Sequence, residues 1–96
     1  MRKSNTQSLK DILGDYVEEL NLSQKLKELR VIKLWPELMG PAINNVTKDI
    51  YIKNGTLFVH LTSAAARNEL MMRREAIIVV MNKKVGSEVV KKVVLR

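Results

Sequence analysis

The fold of this chain is decided by residues 46–62, which read VTKDIYIKNGTLFVHLT. Apolar and polar residues alternate on both sides of Asn54-Gly55, a dipeptide that favours a two-residue hairpin turn because both of its positions need a positive φ. The pattern therefore predicts two antiparallel strands, Val46–Lys53 and Thr56–Thr62. Because side chains along a strand alternate between faces, one face is predicted to pack against helices, and its members are Ile50, Ile52, Leu57, Val59 and Leu61.

The other face of the hairpin combines aromatic and polar side chains: Tyr51, Phe58, His60 and Lys53. If this face is open, aromatic rings among basic residues suit the stacked bases of a single-stranded nucleic acid. If it is covered, the same residues form an interface with a partner chain. His60 is the only histidine and has no Glu-x-x-His spacing, so an ordinary surface position fits it better than a metal ligand or a catalytic base.

The residues before the hairpin have helical spacing. A first helix is predicted at Ser8–Leu20, where a serine N-cap precedes apolar residues that recur every three or four positions. Asn21-Leu22 is predicted to break this helix, and Ser23 to cap a second one. Pro36 is predicted to kink or restart the second helix because proline has no backbone N–H to donate. Gly40-Pro41 is predicted to interrupt it again, before a turn or a short helical piece.

The residues after the hairpin predict one long helix and a last strand. Ser63 is a suitable cap for a helix at Ala64–Val85, and Gly86 is placed to end it as a C′ glycine. A final strand is predicted at Val89–Arg96. The order is N-terminal helices and then β-β-α-β, which predicts an α+β fold in which a three-stranded sheet has helices packed on one face.

The composition excludes several classes of protein. The 96 residues suffice for one domain, predicted to span residues 8–96 after a flexible N-terminus at residues 1–7. Without cysteine there is no disulfide framework and no thiolate metal site. The sequence also has no paired carboxylates, no Gly-rich phosphate loop and no nucleophile elbow. We therefore predict a protein that is not an enzyme and uses no cofactor or metal.

Hydropathy predicts a location for the chain. No stretch approaches the roughly 18 consecutive apolar residues that a membrane span needs. The start, MRKSNTQ, lacks the apolar run of a signal peptide. We therefore expect a cytoplasmic protein with no membrane contact.

The positive charge is concentrated in the second part of the chain. Residues 1–40 carry seven Lys/Arg and six Asp/Glu, for a net charge of +1, whereas residues 41–96 carry ten and four, for +6, which together give the +7 of the whole chain. Such a basic region suits an anionic partner such as nucleic acid. The predicted phosphate-binding surface consists of Arg67, Arg73, Lys83, Lys84, Lys91 and Lys92. The alternative is a solvated charged face with no partner.

The long helix carries more apolar surface than one packed side requires. The run Ala76–Met81 is apolar all round, and Met72, Val79 and Val80 fall outside the core stripe that begins at Leu70. Either the N-terminal helices cover these three side chains, which is the simpler explanation, or they form an exposed patch for another protein. A homodimer closed through this patch is one form of the second alternative.

Trp35, followed by Pro36, has two readings as well. Tryptophan is a common interface anchor, so Trp35 is a candidate protein-interaction residue together with the patch. In a sequence with only four aromatic residues, a large buried plug at the end of the second helix is the simpler interpretation.

Several pieces of the sequence, in this order, resemble the DciA-like family of bacterial replicative-helicase loaders. They are Trp35 and Gly40, the Asn54–Val59 turn and strand, Ala64–Ala66 followed by Glu69-Leu70, Asn82 and Gly86 at the helix end, and the last strand, Val89–Arg96. The resemblance extends from about residue 8 to residue 96. It implies a fold similar to a K-homology domain and a non-enzymatic adaptor that brings the replicative DNA helicase to DNA, with single-stranded DNA as a second partner.

The resemblance also raises two points about DNA. Several members of the family carry a long, basic, disordered tail after this domain, which would add to DNA binding, whereas this sequence ends at Arg96. K-homology domains grip nucleic acid with a Gly-x-x-Gly loop, and no two of the four glycines here have that spacing. The comparable junction is Thr62–Arg67, where small residues at a helix start leave backbone N–H groups accessible to an anion, unless they form a plain N-cap.

Two rival functions stay open at this point. The first is a nucleic-acid-binding domain without a helicase partner, whose affinity would fall steeply with salt. The second is a domain that only binds protein, such as a homodimer.

Overall fold

A computed structural model describes residues 9–96, and residues 10–12 by their backbone alone. The flexible N-terminus predicted for residues 1–7 and the cap predicted at Ser8 lie outside the described residues. Six elements follow one another: α1 (Leu9–Val46), β1 (Thr47–Lys53), β2 (Thr56–Leu61), α2 (Ala64–Met72), α3 (Arg74–Val85) and β3 (Lys92–Leu95). The predicted α+β order of helix, hairpin, helix and strand is confirmed.

The three strands form one mixed sheet in the order β1-β2-β3. The hairpin turn is the predicted one, with positive φ angles of 52° at Asn54 and 79° at Gly55. β1 and β2 are antiparallel, and β3 lies parallel to β2 on its other side. The predicted inner face is confirmed, because Leu57, Val59 and Leu61 are buried while Ile50 and Ile52 are half-buried and pack against the core.

The N-terminal residues form one helix where two were predicted. The break predicted at Asn21-Leu22 is wrong, because α1 continues through these residues, and Gly40 alone has non-helical angles (φ 81°, ψ 175°). Asparagine and leucine are both tolerated inside a helix. Ser23 can cap a helix start, but it does not interrupt a helix whose backbone hydrogen bonds continue through it. The helix likewise passes through Pro36 without restarting. The interruption predicted at Gly40-Pro41 is confirmed, and Pro41–Val46 is helical.

The first part of α1 extends away from the rest of the molecule. The part of α1 before the interruption at Gly40, residues 9–39, is about 46 Å long at 1.5 Å per residue, which accounts for most of the longest dimension of 62 Å beside 22 and 19 Å. Residues 13–26, here called the α1 arm, are exposed throughout. No helix among the described residues, α1 included, is long and apolar enough to span a membrane.

The long helix predicted at Ala64–Val85 is divided in two. Its ends are confirmed, because Ser63 Oγ accepts a hydrogen bond from Ala66 N–H (3.1 Å) and Gly86 ends α3 with a left-handed φ of 81°. Arg73 separates α2 from α3 with angles of φ −109° and ψ 11°. Its N–H donates to the carbonyl of Leu70 (3.0 Å), a tighter turn than the α-helix makes. The division changes the direction of the chain between Met72 and Arg74.

The last strand is shorter than predicted because Asn82 holds the first part of it in a different conformation. The Asn82 Oδ1 accepts hydrogen bonds from the N–H groups of Val89 (3.1 Å) and Val90 (2.8 Å), and its Nδ2 donates to the carbonyl of Val90 (2.8 Å). Val89 and Val90 are buried in this connection. β3 therefore begins only at Lys92.

The core lies between the inner face of the sheet, the second half of α1, and helices α2 and α3. α1 contributes Val31 and Trp35, α2 contributes Leu70, and α3 contributes Ile77 and Met81. All of these helices thus share the inner face of the sheet and leave its outer face without a helix in the described part of the chain.

Candidate functional site

The three apolar residues predicted to fall outside the core stripe are exposed. Met72 is 83% exposed, Val79 63% and Val80 40%. The expectation that the N-terminal helices cover them is wrong, because α1 packs Val31 and Trp35 against the core and directs its arm away from the domain. Met72, Val79 and Val80 are called the apolar patch below.

A shallow groove adjoins the apolar patch where α1 meets α2 and α3. Val80 lies in the groove, whereas Met72 and Val79 do not line it. The other lining residues are mostly apolar, with one cation: Leu38, Met39, Leu70, Arg73, Ala76 and Ile77. Leu38 and Met39 were not among the predicted contact residues, although they follow Trp35 by three and four positions and so lie beside it on the helix, just before the interruption at Gly40.

Trp35 is part of the core and not of the surface. It is 1% exposed, and its Nε1–H donates to Thr47 Oγ1 (3.2 Å), which in turn donates to the carbonyl of Ile43 (2.8 Å). A buried, hydrogen-bonded indole joins the end of α1 to the start of β1 and cannot reach a partner without local unfolding. The structure therefore supports the buried-plug interpretation of Trp35.

Four of the predicted basic residues gather at the hairpin end of the domain. The N–H groups of Lys91 and Lys92 donate to the carbonyl of Gly55 (2.7 and 3.3 Å). Lys83 and Lys84 occupy the last turn of α3, which Asn82 ties to the residue just before Lys91. These four side chains are exposed, and they are called the lysine cluster below.

The other two predicted basic residues lie elsewhere. Arg67 is half-buried at the opposite end of β2, where its Nη2 donates to the carbonyl of Leu61 (3.4 Å). Leu61 is five residues from Thr56, or about 17 Å along a strand. Arg73 forms an ion pair with Glu69 (3.5 Å). The structure therefore does not bring all six predicted residues into one surface.

Two further cations were missed by the sequence analysis. Arg30 and Lys33 of α1 line a shallow groove together with Lys84 and Val85 of α3, and Glu37 lies in the same groove. The signal was available, because positions 30, 33 and 37 fall on one side of a helix. It was not used because neither segment alone predicts that α1 packs beside the end of α3.

The outer face of the sheet is open, and its centre is aromatic. Tyr51 pairs with Phe58 across the hairpin, and Phe58 pairs with Val94 of β3. The two rings are stacked, with centroids 4.9 Å apart and planes 16° apart. The guanidinium of Arg96 lies 5.0 Å from the centre of the Phe58 ring, and its Nη2 donates to the Tyr51 hydroxyl (3.4 Å). Arg96 was missed because its approach to both rings depends on the register of β3.

Comparison with known proteins places the chain in a family. A search among curated proteins finds no match. The family model described as "Dna[CI] antecedent, DciA" matches residues 8–95, which include the hairpin, both helices after it and nearly all of the last strand. A match over almost the whole chain, on a fold with the predicted order of elements, confirms the resemblance noted in the sequence, and the chain belongs to the DciA family.

Proposed function

We propose that this domain is a non-enzymatic adaptor that binds the replicative DNA helicase through the apolar patch. The DciA family is a family of helicase loaders, which supports the partner. The observation that supports the contact surface is the exposure of Met72, Val79 and Val80. Single apolar residues at a surface are ordinary, but several exposed on the same two helices, one of which (Val80) lines an apolar groove, are typical of a protein contact.

The size of the apolar patch fits a contact that forms and dissolves. Burial of apolar surface contributes about 25 cal/mol per Å², so two valines and a methionine supply a few kcal/mol. Arg73 also lines the groove, and with its ion pair to Glu69 it adds polar groups that suit a polar rim on the partner. A loader has to leave the helicase after delivery, and a small interface serves that purpose.

The lysine cluster is the second part of the proposal, as a contact for DNA phosphates. The single ion pair in the described part of the chain joins Arg73 to Glu69, so none of the four lysines is in direct contact with a described carboxylate, although Glu37 lines a groove with Lys84. Lys83 lies one turn beyond Val79 and Val80 on α3. Helicase and DNA would therefore meet the domain on adjacent surfaces of the same helix.

Val79→Glu tests the helicase contact. It places a charge within the apolar patch, and we expect at least a tenfold loss of affinity for the purified replicative helicase, measured by biolayer interferometry. The melting temperature should stay within about 4 °C of the parent, because a substitution at an exposed position costs little stability. Leu22→Glu is the matched control, since Leu22 is equally exposed (60%) on the α1 arm.

Three results would contradict this part of the proposal. Normal helicase binding by a folded Val79→Glu variant would place the contact elsewhere. An equal loss in Leu22→Glu would show that any new carboxylate disturbs binding. A change from dimer to monomer in the solution mass, with helicase binding intact, would identify the apolar patch as a homodimer interface.

A further inference from the structure

We propose that the outer face of the sheet is a base-stacking site for single-stranded nucleic acid, built on Tyr51, Phe58 and Arg96. The site rests on the DNA contact of the proposed function and adds a preference for single strands to it. Its position on the sheet separates it from the apolar patch on α2 and α3.

The first support is the geometry of the rings. Phe58 stacks against one side of Tyr51, and the other side of the Tyr51 ring points away from β2. β1 is an edge strand, with no strand on its outer side among the described residues. Tyr51 is accordingly 42% exposed. A flat ring with one supported side and one open side is the arrangement on which a base stacks.

The second support is the way Arg96 holds the pair. Its backbone N–H donates to the carbonyl of Val59 (3.0 Å), and its own carbonyl accepts from the N–H of Leu61 (2.6 Å). The backbone of Arg96 is thus fixed beside β2, while its guanidinium touches Phe58 and the Tyr51 hydroxyl. The guanidinium therefore supplies a cation directly beside the aromatic pair.

The third support is the charge of this face. The register places Lys53, Thr56 and Lys92 side by side at the hairpin end, on the same face as Tyr51 and Phe58. With Arg96, three cations surround the aromatic pair. Asp49 is the one carboxylate on this face, and its Oδ1 accepts a hydrogen bond from the N–H of Ile50 (2.9 Å). The face therefore attracts an anion, and Lys92 connects it to the lysine cluster.

These features favour a single strand over the other ligands of a basic surface. In a duplex the bases already stack on each other, so no base is free to stack on the exposed rings. A duplex would contact only the cations of this face, through its phosphates. A protein partner would need a broader apolar area than one stacked pair flanked by Lys53, His60 and Lys92. The chain also lacks the Gly-x-x-Gly loop with which K-homology domains hold nucleic acid, and the sheet offers another surface for the same ligand.

Tyr51→Ala tests the site, with fluorescence anisotropy of a labelled oligo-deoxythymidylate as the readout. We expect binding to weaken roughly 5- to 150-fold, because loss of one base–aromatic stack costs on the order of 1–3 kcal/mol. The slope of affinity against salt should not change, since the phosphate contacts remain. Tyr51→Phe should bind as the parent does because it keeps the ring. Tyr16→Ala is the control, since it removes an exposed tyrosine from the α1 arm.

Four results would overturn the proposal. They are parent-like binding of the oligonucleotide by Tyr51→Ala, no binding by the parent at about 50 mM salt, an equal loss for a duplex of the same length, and a loss of helicase binding with DNA binding intact. The last would make the face a protein contact. Failure of the helicase proposal is distinguishable, because it appears in Val79→Glu, which leaves oligonucleotide binding unchanged.

Discussion

The two sides of α3 carry equally apolar residues in different surroundings. Ile77 and Met81 are buried against the sheet and α1, whereas Val79 and Val80 are exposed to solvent. Burial explains the first pair completely, because it holds the two layers together. The second pair stays largely in solvent, with Val79 63% and Val80 40% exposed, so fold stability does not fully explain its apolar character. The difference separates residues that keep the fold from residues available to another molecule.

Met81→Ala should give the largest effect on stability and so sharpen this contrast. Met81 is completely buried at the centre of the core, and removal of its side chain should lower the free energy of unfolding by about 2–5 kcal/mol. Urea denaturation followed by the fluorescence of Trp35 measures the change. Val79→Ala is the matched control, with an expected change within about 0.5 kcal/mol. Similar losses in both variants would end the distinction between the two sides.

Asn82→Ala should have a smaller effect, near the C-terminal end of the same helix. Asn82 makes three hydrogen bonds to the backbone of Val89 and Val90, and their loss leaves half-buried polar groups without partners. We expect about 2 kcal/mol of destabilisation, with faster amide exchange at Val89 and Val90. Asn82→Asp keeps the two acceptor bonds and should lie between alanine and the parent. Unchanged exchange rates would show that the side chain does not hold this connection.

Lys83→Glu with Lys84→Glu should have the smallest effect on stability, because both side chains are exposed in the last turn of α3. Its effect should appear in DNA binding. If the lysine cluster contacts phosphates, the double reversal should reduce the slope of log affinity against log salt by roughly 1 to 2. Lys25→Glu with Lys48→Glu reverses two exposed lysines outside the cluster and should change the slope less. Equal slopes in both double variants would show that the lysine cluster does not contact DNA phosphates.

The sequence was sufficient for the hairpin and the helix caps because their signals are local. Asn54-Gly55 requires positive φ angles wherever it occurs in a hairpin, and period-two alternation assigns Leu57 and Val59 to the inner face without knowledge of what covers it. Ser63 and Gly86 likewise act on backbone groups within a few residues of themselves.

The remaining features depend on contacts between distant segments. No glycine or proline lies next to Arg73, and no other residue near it predicts that the helix divides there. Asn82 resembled an ordinary residue near a helix end, yet it shortens β3 by holding Val89 and Val90. The exposure of the apolar patch followed from the direction that α1 takes, which was predicted incorrectly at Asn21-Leu22.

The candidate sites divide in the same way. The lysine cluster combines two lysine pairs that the connection between α3 and β3 brings to one end of the domain, and Arg67 left the predicted surface because a backbone carbonyl accepts from its guanidinium. The aromatic pair was predictable from alternation, whereas Arg96 required the parallel register of β3. Residue types indicated which chemistry was present, and the tertiary structure indicated which residues act together.

Methyl-selective NMR tests directly, and without a mutation, whether the replicative helicase binds the apolar patch. The domain carries labelled Met, Val and Leu methyl groups, and unlabelled helicase is added in steps. If the helicase binds this patch, the methyl signals of Met72, Val79 and Val80 should shift or lose intensity first. Those of Leu22, Leu26 and Leu29 on α1 should change only with overall tumbling. Early changes at these leucines, with the patch signals unaffected, would contradict binding at the patch.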